Sequence, residues 1–387
     1  MISVHTHRAA VLADVAAVEP LEMLVAESLG CVVAEDVLAQ RPIPSFPVAA
    51  FEGIAVRSAD VSGATHNPVS LTWATSEVSP GTAIPIHAGE ALPLGADSVL
   101  PLGSWRDLSG MFAAAAASVQ VEAEALPGFG VWQAGHDCEI GESVLPAGTV
   151  VGPGAIAVLV AAGVSRVAVI PKPRCVVFAV SDAPTTDPVL GMLTAVVTAA
   201  GGQAYPVGPV PGDDSLRDIL EDQLVRADLI VICGDWAGAE DRVRSAIAEL
   251  AVDNSITEAE LALEPTGRTW LAHIGSVPVL VVPADPWAAY VSFEAFVLPL
   301  LRRLRGEAQE QRDPVVAECT ADVAAVSDRQ RYILARLSRE GDENRAQPLH
   351  PSRAGLLTMA NGVIVVEPQM ELRAGRPCSV YTLPGEL

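Results

Sequence analysis

The sequence predicts a multidomain α/β protein organised around a doubly wound sheet. Three observations lead there. The chain has 387 residues, too many for one hydrophobic core, so two to four domains are expected. Between Arg174 and about Gly306, β-branched apolar runs alternate with helical segments, the pattern of a parallel sheet covered on both faces. On either side of that block the pattern shortens to brief strands with Gly and Pro turns, which marks separate β-rich parts.

Residues 8 to 39 read as helix, break, helix: RAAVLADVAAV, then Glu19 and Pro20, then LEMLVAESLGCVVAEDVLA, with Pro42 and Pro44 ending the run. From Phe51 to about Gln120 short alternating strands follow (VSLTWATSEV, GTAIPI, DSVLPL), a small β-rich insert. Strands and turns continue through VEAEALPGFGVWQAGHDCEIGESVLPAGTVV, and a helix runs from about Ala155 to Ala162 behind Pro153. Strand CVVFAV opens the α/β block, followed by helix PVLGMLTAVVTAAGG and strand QAYPV. Helix DSLRDILEDQLVRA, strand DLIVIC and helix EDRVRSAIAEL come next, then strands TWLAHI and VPVLVV and helix PWAAYVSFEAFVLPLLRRLRG. Asp213 or Asp214 is expected to cap one helix, and Gly201 with Gly202 to end another. After Gly306 the runs PVVAECTADVA, RQRYILARLSR, GVIVVEP and CSVYTL read as a terminal β domain of barrel-like type.

Charge excludes one class of partner. With 24 basic against 47 acidic residues the net charge is −23, which opposes nucleic-acid binding because that binding neutralises phosphates with cations. Lys172 is the only lysine, and the densest basic run, Leu301 to Arg305, sits at an expected helix end where cations suit the dipole. Six scattered cysteines with no C-x-x-C pair read as free thiols, and the seven histidines show no ligand spacing. The N-terminus lacks the basic start and apolar block of a signal peptide, and the apolar stretch from Met111 is too short to span a bilayer. A cytoplasmic protein without membrane insertion is expected.

The candidate ligand site lies at the strand ends. In an open parallel sheet ligands bind outside the carboxyl ends of the strands, where helix N-termini also point. The loops there are VSDAP (Val180 to Pro184), CGDWAGAED (Cys233 to Asp241) and PADPW (Pro283 to Trp287). They carry Asp182, Asp235, Glu240, Asp241 and Asp285 but no Lys or Arg, an unusual equipment for holding a phosphate.

Four segments in order resemble a known family. SLGCVVAEDV at Ser28 is similar to A-L-G-R-V-L-A-E-D-V, and PSFPVAAFEGIAVR at Pro44 to P-x-F-D-N-S-A-M-D-G-Y-A-V-R. IHAGEALPLGADSVL at Ile86 resembles I-x-T-G-A-x-L-P-x-G-A-D-A-V-V. VWQAGHDCEIGESVLPAGTVVGPGAIAVLVAAGV at Val131 resembles V-R-x-x-G-E-D, a G-x-x-L-L-x-x-G-x-x-L-x-P stretch and a helix. These patterns belong to the molybdopterin molybdenumtransferases, the MoeA proteins and the gephyrin E domain, and the resemblance spans the chain.

The resemblance implies a four-part fold: an elongated domain from 1–50 and 131–170, the β insert 51–130, the doubly wound domain 171–306 and the β domain 307–387. It implies a homodimer and a reaction that inserts molybdate into adenylylated molybdopterin, releasing AMP, with a divalent cation such as Mg²⁺. Glu52, Asp137 and Asp241 then take the catalytic carboxylate positions. Ser181, Asp182, Gly234, Pro283, Pro286 and Arg268 take ligand-binding positions, with Asp182 and Asp241 also as metal ligands. The anion-gripping positions differ from the family's: Ala88 and Glu90 replace Thr and Ala, Val180 replaces Thr, and Cys233 and Asp235 replace Ser and Gly. Ala284 and Asp285 replace Gly and Asn, Trp132 replaces Arg, Val189 replaces Asn and Glu264 replaces a Lys. At roughly 1.5–3 kcal/mol per hydrogen bond to a charged group, four lost contacts amount to about 6 kcal/mol. The gephyrin likeness carries a second expectation: a non-catalytic dimeric scaffold with a peptide groove at the terminal domain, anchored by Trp236 and Trp287, that serves a receptor or the cell-division machinery.

Overall fold

The computed structural model describes residues 1–108, 118–181, 187–210, 215–234, 240–251, 256–325 and 328–383, the side chains of 240 and 241 excepted. The chain divides into two compact units, one of Met1–Leu21, Gly30–Val32 and Val169–Leu387, the other of Glu22–Leu29 and Val33–Ala168.

The larger unit is built on a six-stranded sheet in the order Gln203–Val210, Arg174–Val180, Leu229–Gly234, Val277–Pro283, Arg268–Ile274, Thr257–Glu260. The first four are parallel and the last two join antiparallel. Alternation along each strand sends side chains to opposite faces. Val177, Ala179, Val231, Leu280 and Val282 pack toward the Pro188–Ala199 helix and the helical run from Pro286 to Leu304. Val176, Phe178, Ile230, Ile232 and Val281 pack on the other side with Leu216, Leu220, Val243 and Ile247 of the helices Ser215–Leu224 and Glu240–Leu250. Burial on both faces explains why these strands read as unbroken apolar runs. The doubly wound sheet is therefore as expected; the Thr257–Glu260 strand is additional. The cap proposed at Asp213 or Asp214 lies outside the described residues. Gly201 does end its helix, with φ +86, and a Cβ there would fall 2.5 Å from the Arg305 guanidinium.

The run expected as one helix from Pro286 is interrupted by a π-helical turn, Phe293–Val297. Pro299 supplies no N–H, so the carbonyl of Ala295 loses the donor that an unbroken helix would give it. Arg8 fills the gap, its Nε donating to Ala295 O at 2.8 Å. The basic run 301–305 is a helix terminus, as read, with Arg302 and Arg303 in the last turn and Arg305 donating to Ala200 O and Gly30 O.

The first helix is Val4–Leu12, starting four residues earlier than expected because Ser3 caps it, its Oγ accepting from Thr6 N at 3.0 Å. His7 on this helix is fully buried, with Nε2 2.8 Å from Thr269 Oγ1 and its ring edge-on to Phe296 at 4.8 Å. Burial lowers its pKa to about 4. The unfolded chain takes up that proton below about 6.5, the folded chain only below about 4, so acid favours unfolding across this window. Stability is expected to fall by roughly 3 kcal/mol more between pH 6.5 and 4 in the native protein than in His7→Asn, read from urea midpoints. Equal losses in both proteins would show that His7 is protonated in place.

The terminal strands Val315–Cys319, Gln330–Glu340, Glu343–Pro348, Gly362–Val366 and Pro377–Thr382 close on themselves, since Gln330–Glu340 also pairs with Gly362–Val366. Ala317, Ile333, Ala335, Ala346, Ile364 and Val380 fill this small barrel.

In the second unit the β insert forms a sheet in the order Ser98–Pro101, Gly53–Val56, Thr82–Ile86, Val69–Trp73, Ser118–Val121, Trp105–Asp107, over a core of Ile54, Val56, Leu71, Leu100 and Val119. Its one α-helix among the described residues is Pro153–Ala161. The second helix expected over 21–39 is not formed. Leu21–Leu24, Val32–Val33 and Val37–Leu38 are strands, separated by a 3-10 turn over Val25–Glu27. The buried Ser28 hydroxyl closes that turn on Val25 O at 2.8 Å and Gly30 follows with φ +79, so helix continuation is blocked where β-branched Val32 and Val33 find a partner in Arg166–Ile170. No helix among the described residues is long and apolar enough to cross a membrane. The six cysteines are free, five of them buried.

Candidate functional site

Sheet register brings most of the predicted binding positions to one edge. Val180 pairs with Gly234 and Gly234 with Pro283, so three parallel strands end level. Ser181 follows directly on the first. Arg268–Ile274 runs antiparallel with Trp270 opposite Val281, which brings Arg268, two residues on, level with Pro283. Ser181, Gly234, Pro283, Pro286 and Arg268 thus share one crest, and Arg268 is its exposed cation. Ser181 N is engaged with Val210 O at 3.0 Å, which fixes the backbone at the start of this loop.

The carboxylates behave differently from the expectation. Asp285 was expected to confront a ligand phosphate; instead it caps the Pro286 helix, Oδ1 accepting from Ala288 N at 2.9 Å. Asp187, which the sequence reading passed over, does the same for the Pro188 helix, accepting from Val189 N at 2.7 Å and Leu190 N at 3.1 Å. Each precedes a proline at the first helical position, an Asp-Pro signal that identifies such caps. These N–H groups are the donors a phosphate would otherwise find at a helix N-terminus, so the protein's own carboxylates occupy both. Asp182, Asp235 and Trp236 lie outside the described residues. Asp241 lies in the first turn of the Glu240–Leu250 helix, its side chain likewise outside them.

Cys233 faces the sheet interior rather than the crest surface. Its Sγ donates to Phe178 O at 3.1 Å, and burial, with Asp187 nearby, pushes its thiol up to about 12. Trp287 is corrected as a partner anchor: it is 3% exposed and stacks on Tyr290 at 6.2 Å. Thr266 is buried, donating to Ala288 O at 2.9 Å beside Ser292, which ties the Glu264–Arg268 turn to the start of the Pro286 helix.

The remaining catalytic candidates belong to the second unit. Glu52 is exposed, 3.5 Å from His87 Nδ1. Glu90 Oε2 accepts from His87 N at 2.8 Å, so that carboxylate fastens the turn on which His87 stands. Asp137 is exposed, with its amide bound to Ile43 O at 2.8 Å, and follows His136, which stacks flat on Trp132 at 5.6 Å. Among the described residues no cluster of three or more His, Cys, Asp or Glu side chains is arranged to hold a cation, and the expected ligands, Asp182 and the Asp241 side chain, lie outside them.

The model of the MoeA N-terminal region (domain I and II) matches residues 2–163. Molybdopterin molybdenumtransferase 1 of Mycobacterium tuberculosis is 33% identical over 382 residues, covering 88% of this chain and 87% of the relative. Molybdopterin molybdenumtransferase 2 of that organism is 28% identical over 410 residues, covering 99% and 100%. Among solved structures, the molybdopterin biosynthesis MoeA protein of Pyrococcus horikoshii OT3 superimposes with a TM-score of 0.73 at 21% identity, over 99% of this chain and all of the other. That likeness shows a shared multidomain fold.

Proposed function

Because this chain belongs to the molybdopterin molybdenumtransferase (MoeA) family, we propose that it acts in molybdenum cofactor biosynthesis, inserting molybdate into adenylylated molybdopterin with release of AMP. The observation that carries the reading is the level crest of Ser181, Gly234, Pro283 and Arg268. There Arg268 takes a phosphate of the adenylylated pterin, and the Ser181 hydroxyl supplies a second donor. The family pattern alone assigns proton transfers at molybdate to Glu52 and Asp137, which belong to the second unit. With the helix N-termini capped by Asp187 and Asp285, phosphate affinity rests on fewer donors, and a high demand for substrate is the consequence. What supports a homodimer is the apolar Pro153–Ala161 helix, which leaves Val158 41% and Val160 62% exposed.

Complementation of a bacterial strain lacking its molybdenumtransferase tests this, with nitrate reductase activity as the readout. Restored activity at excess molybdate is expected. Arg268→Ala is expected to lose one charge-assisted contact, about 1.5–3 kcal/mol, or roughly 10- to 100-fold in pterin affinity by calorimetry. Failure to restore activity at any molybdate concentration, with no binding of the adenylylated pterin, removes the reading.

One observation favours the scaffold reading as well. An apolar groove of about 420 Å³ runs between the Pro188–Ala199 helix and the terminal domain, lined by Met192, Val196, Tyr290, Leu357 and Leu383. It is suited to an apolar peptide segment. Leu357→Asp then releases a protein partner that the native chain retains, without changing nitrate reductase restoration.

A further inference from the structure

The terminal barrel contains two thiols that the proposed reaction does not use. Cys319 ends the strand Val315–Cys319 and Cys378 lies in Pro377–Thr382, and these strands are antiparallel neighbours with Ala317 opposite Cys378. Cys319 N donates to Arg376 O at 2.8 Å, so Cys319 stands one diagonal step from Cys378 on the same face. They are 1% and 9% exposed, and both border a cavity of about 580 Å³ that Met370 and Arg376 also line. Their sulfurs donate to Ala321 O at 3.2 Å and Ala317 O at 3.4 Å. Burial, and then the hydrogen-bonded Cys319, push the Cys378 thiol up to about 12.

Geometry separates the two things a thiol pair can do. A disulfide needs β-carbons about 3.5–4.5 Å apart. Diagonal neighbours on antiparallel strands are roughly 7–8 Å apart, somewhat less at Cβ. A direct bond therefore requires the strands to slide. A metal ion between the sulfurs reaches further than an S–S bond of about 2.0 Å, since it contributes two sulfur–metal bonds in line.

We infer that Cys319 and Cys378 form a binding site for one soft monovalent cation of the copper(I) class, held between two thiolates in the barrel cavity. Soft thiolate and thioether ligands select such ions, and Met370 adds a thioether at the cavity wall. Binding replaces two S–H bonds with two sulfur–metal bonds and releases two protons to solvent, so no oxidant or reductant is needed. The complex carries a net negative charge, and Arg373 and Arg376 line the same cavity. A hard or borderline ion asks for three or four ligands, and among the described residues no such group surrounds the pair.

The test uses full-length, fully reduced protein titrated anaerobically with copper(I) against the chelator bathocuproine disulfonate. One copper is expected to stay with each chain and to give the near-ultraviolet absorption of a copper–thiolate bond. Cys319→Ala and Cys378→Ala are each expected to weaken binding by at least about 100-fold, beyond what losing an outer-shell partner does, whereas Cys31→Ala and Cys138→Ala leave it unchanged. Cys138→Ala replaces the one cysteine that is not buried, so copper retained by this variant keeps the assignment readable even if a barrel variant fails to fold. No retained copper, loss of copper in Cys138→Ala, or ready formation of a Cys319–Cys378 disulfide with diamide in the folded protein overturns the proposal.

Discussion

Arg312→Ala is expected to destabilise the protein by about 3–5 kcal/mol, the cost of stranding a buried charge. Arg312 Nε donates to Glu294 Oε2 at 3.0 Å and its terminal nitrogen to Oε1 at 3.2 Å. The Glu294 side chain is 7% exposed and that of Arg312 20%. Tyr290 donates to Glu294 Oε1 at 3.0 Å, and burial, then the adjacent carboxylate, hold its hydroxyl well above the usual phenol range. Without Arg312, the buried Glu294 carboxylate would be left with the Tyr290 hydroxyl in place of an ion-pair partner. The triple replacement Tyr290→Phe, Glu294→Leu, Arg312→Met is expected to recover most of the loss, because apolar side chains of similar volume avoid desolvating the ions. Denaturant midpoints at constant slope measure both. A loss under about 1 kcal/mol for Arg312→Ala means that water reaches Glu294 and the pair is a surface one in energy.

Gly53→Ala is expected to cost about 3 kcal/mol or more, among the larger single-residue effects. Gly53 pairs with Pro101 across an antiparallel ladder, and a Cβ on it would lie 1.9 Å from Leu100 O and 2.8 Å from Leu100 C. Both obstacles are backbone, so no rotamer change relieves them, and the Ser98–Pro101 strand must move. Glu52 is the preceding residue and moves with it, so complementation is expected to fail together with stability. Gly154→Ala is the internal comparison. Nothing lies within 4 Å of a Cβ there and the position is helical, so a gain of about 0.5–1 kcal/mol is expected. Thermal unfolding of the two variants should diverge in sign.

The α/β block was legible because its strands are buried on both faces, which forces continuous β-branched runs such as Cys175 to Val180, and because the helices between them break at Gly201 and at prolines. Residues Leu21 to Ala39 were misread for the opposite reason. LEMLVAESL has helical composition, and only partners far along the chain, Arg166–Ile170 for Val32 and Val33, turn it into strands. At the site, the sequence placed Ser181, Gly234, Pro283 and Pro286 at strand ends, and register alone set Arg268 beside them. The role of Asp285 was misjudged because its acidity was weighed without the proline that follows it, and Asp187, which also precedes a proline, was passed over. An aspartate before a helical proline has a local donor waiting, and that claim precedes any distant ligand.

The second unit leaves and re-enters the chain through neighbouring positions, Ala34 N lying 3.0 Å from Ala168 O. Closing an excursion of roughly 130 residues grows only logarithmically more expensive with its length. The excursion can therefore lengthen, shorten or be exchanged with little change in the entropy of tethering it. What it cannot do is form early, since the closing contact joins residues so distant in sequence that the search for it is slow. In a chain made from its N-terminus, the Val32–Val33 edge thus waits for its partner until Arg166–Ile170 has been synthesised.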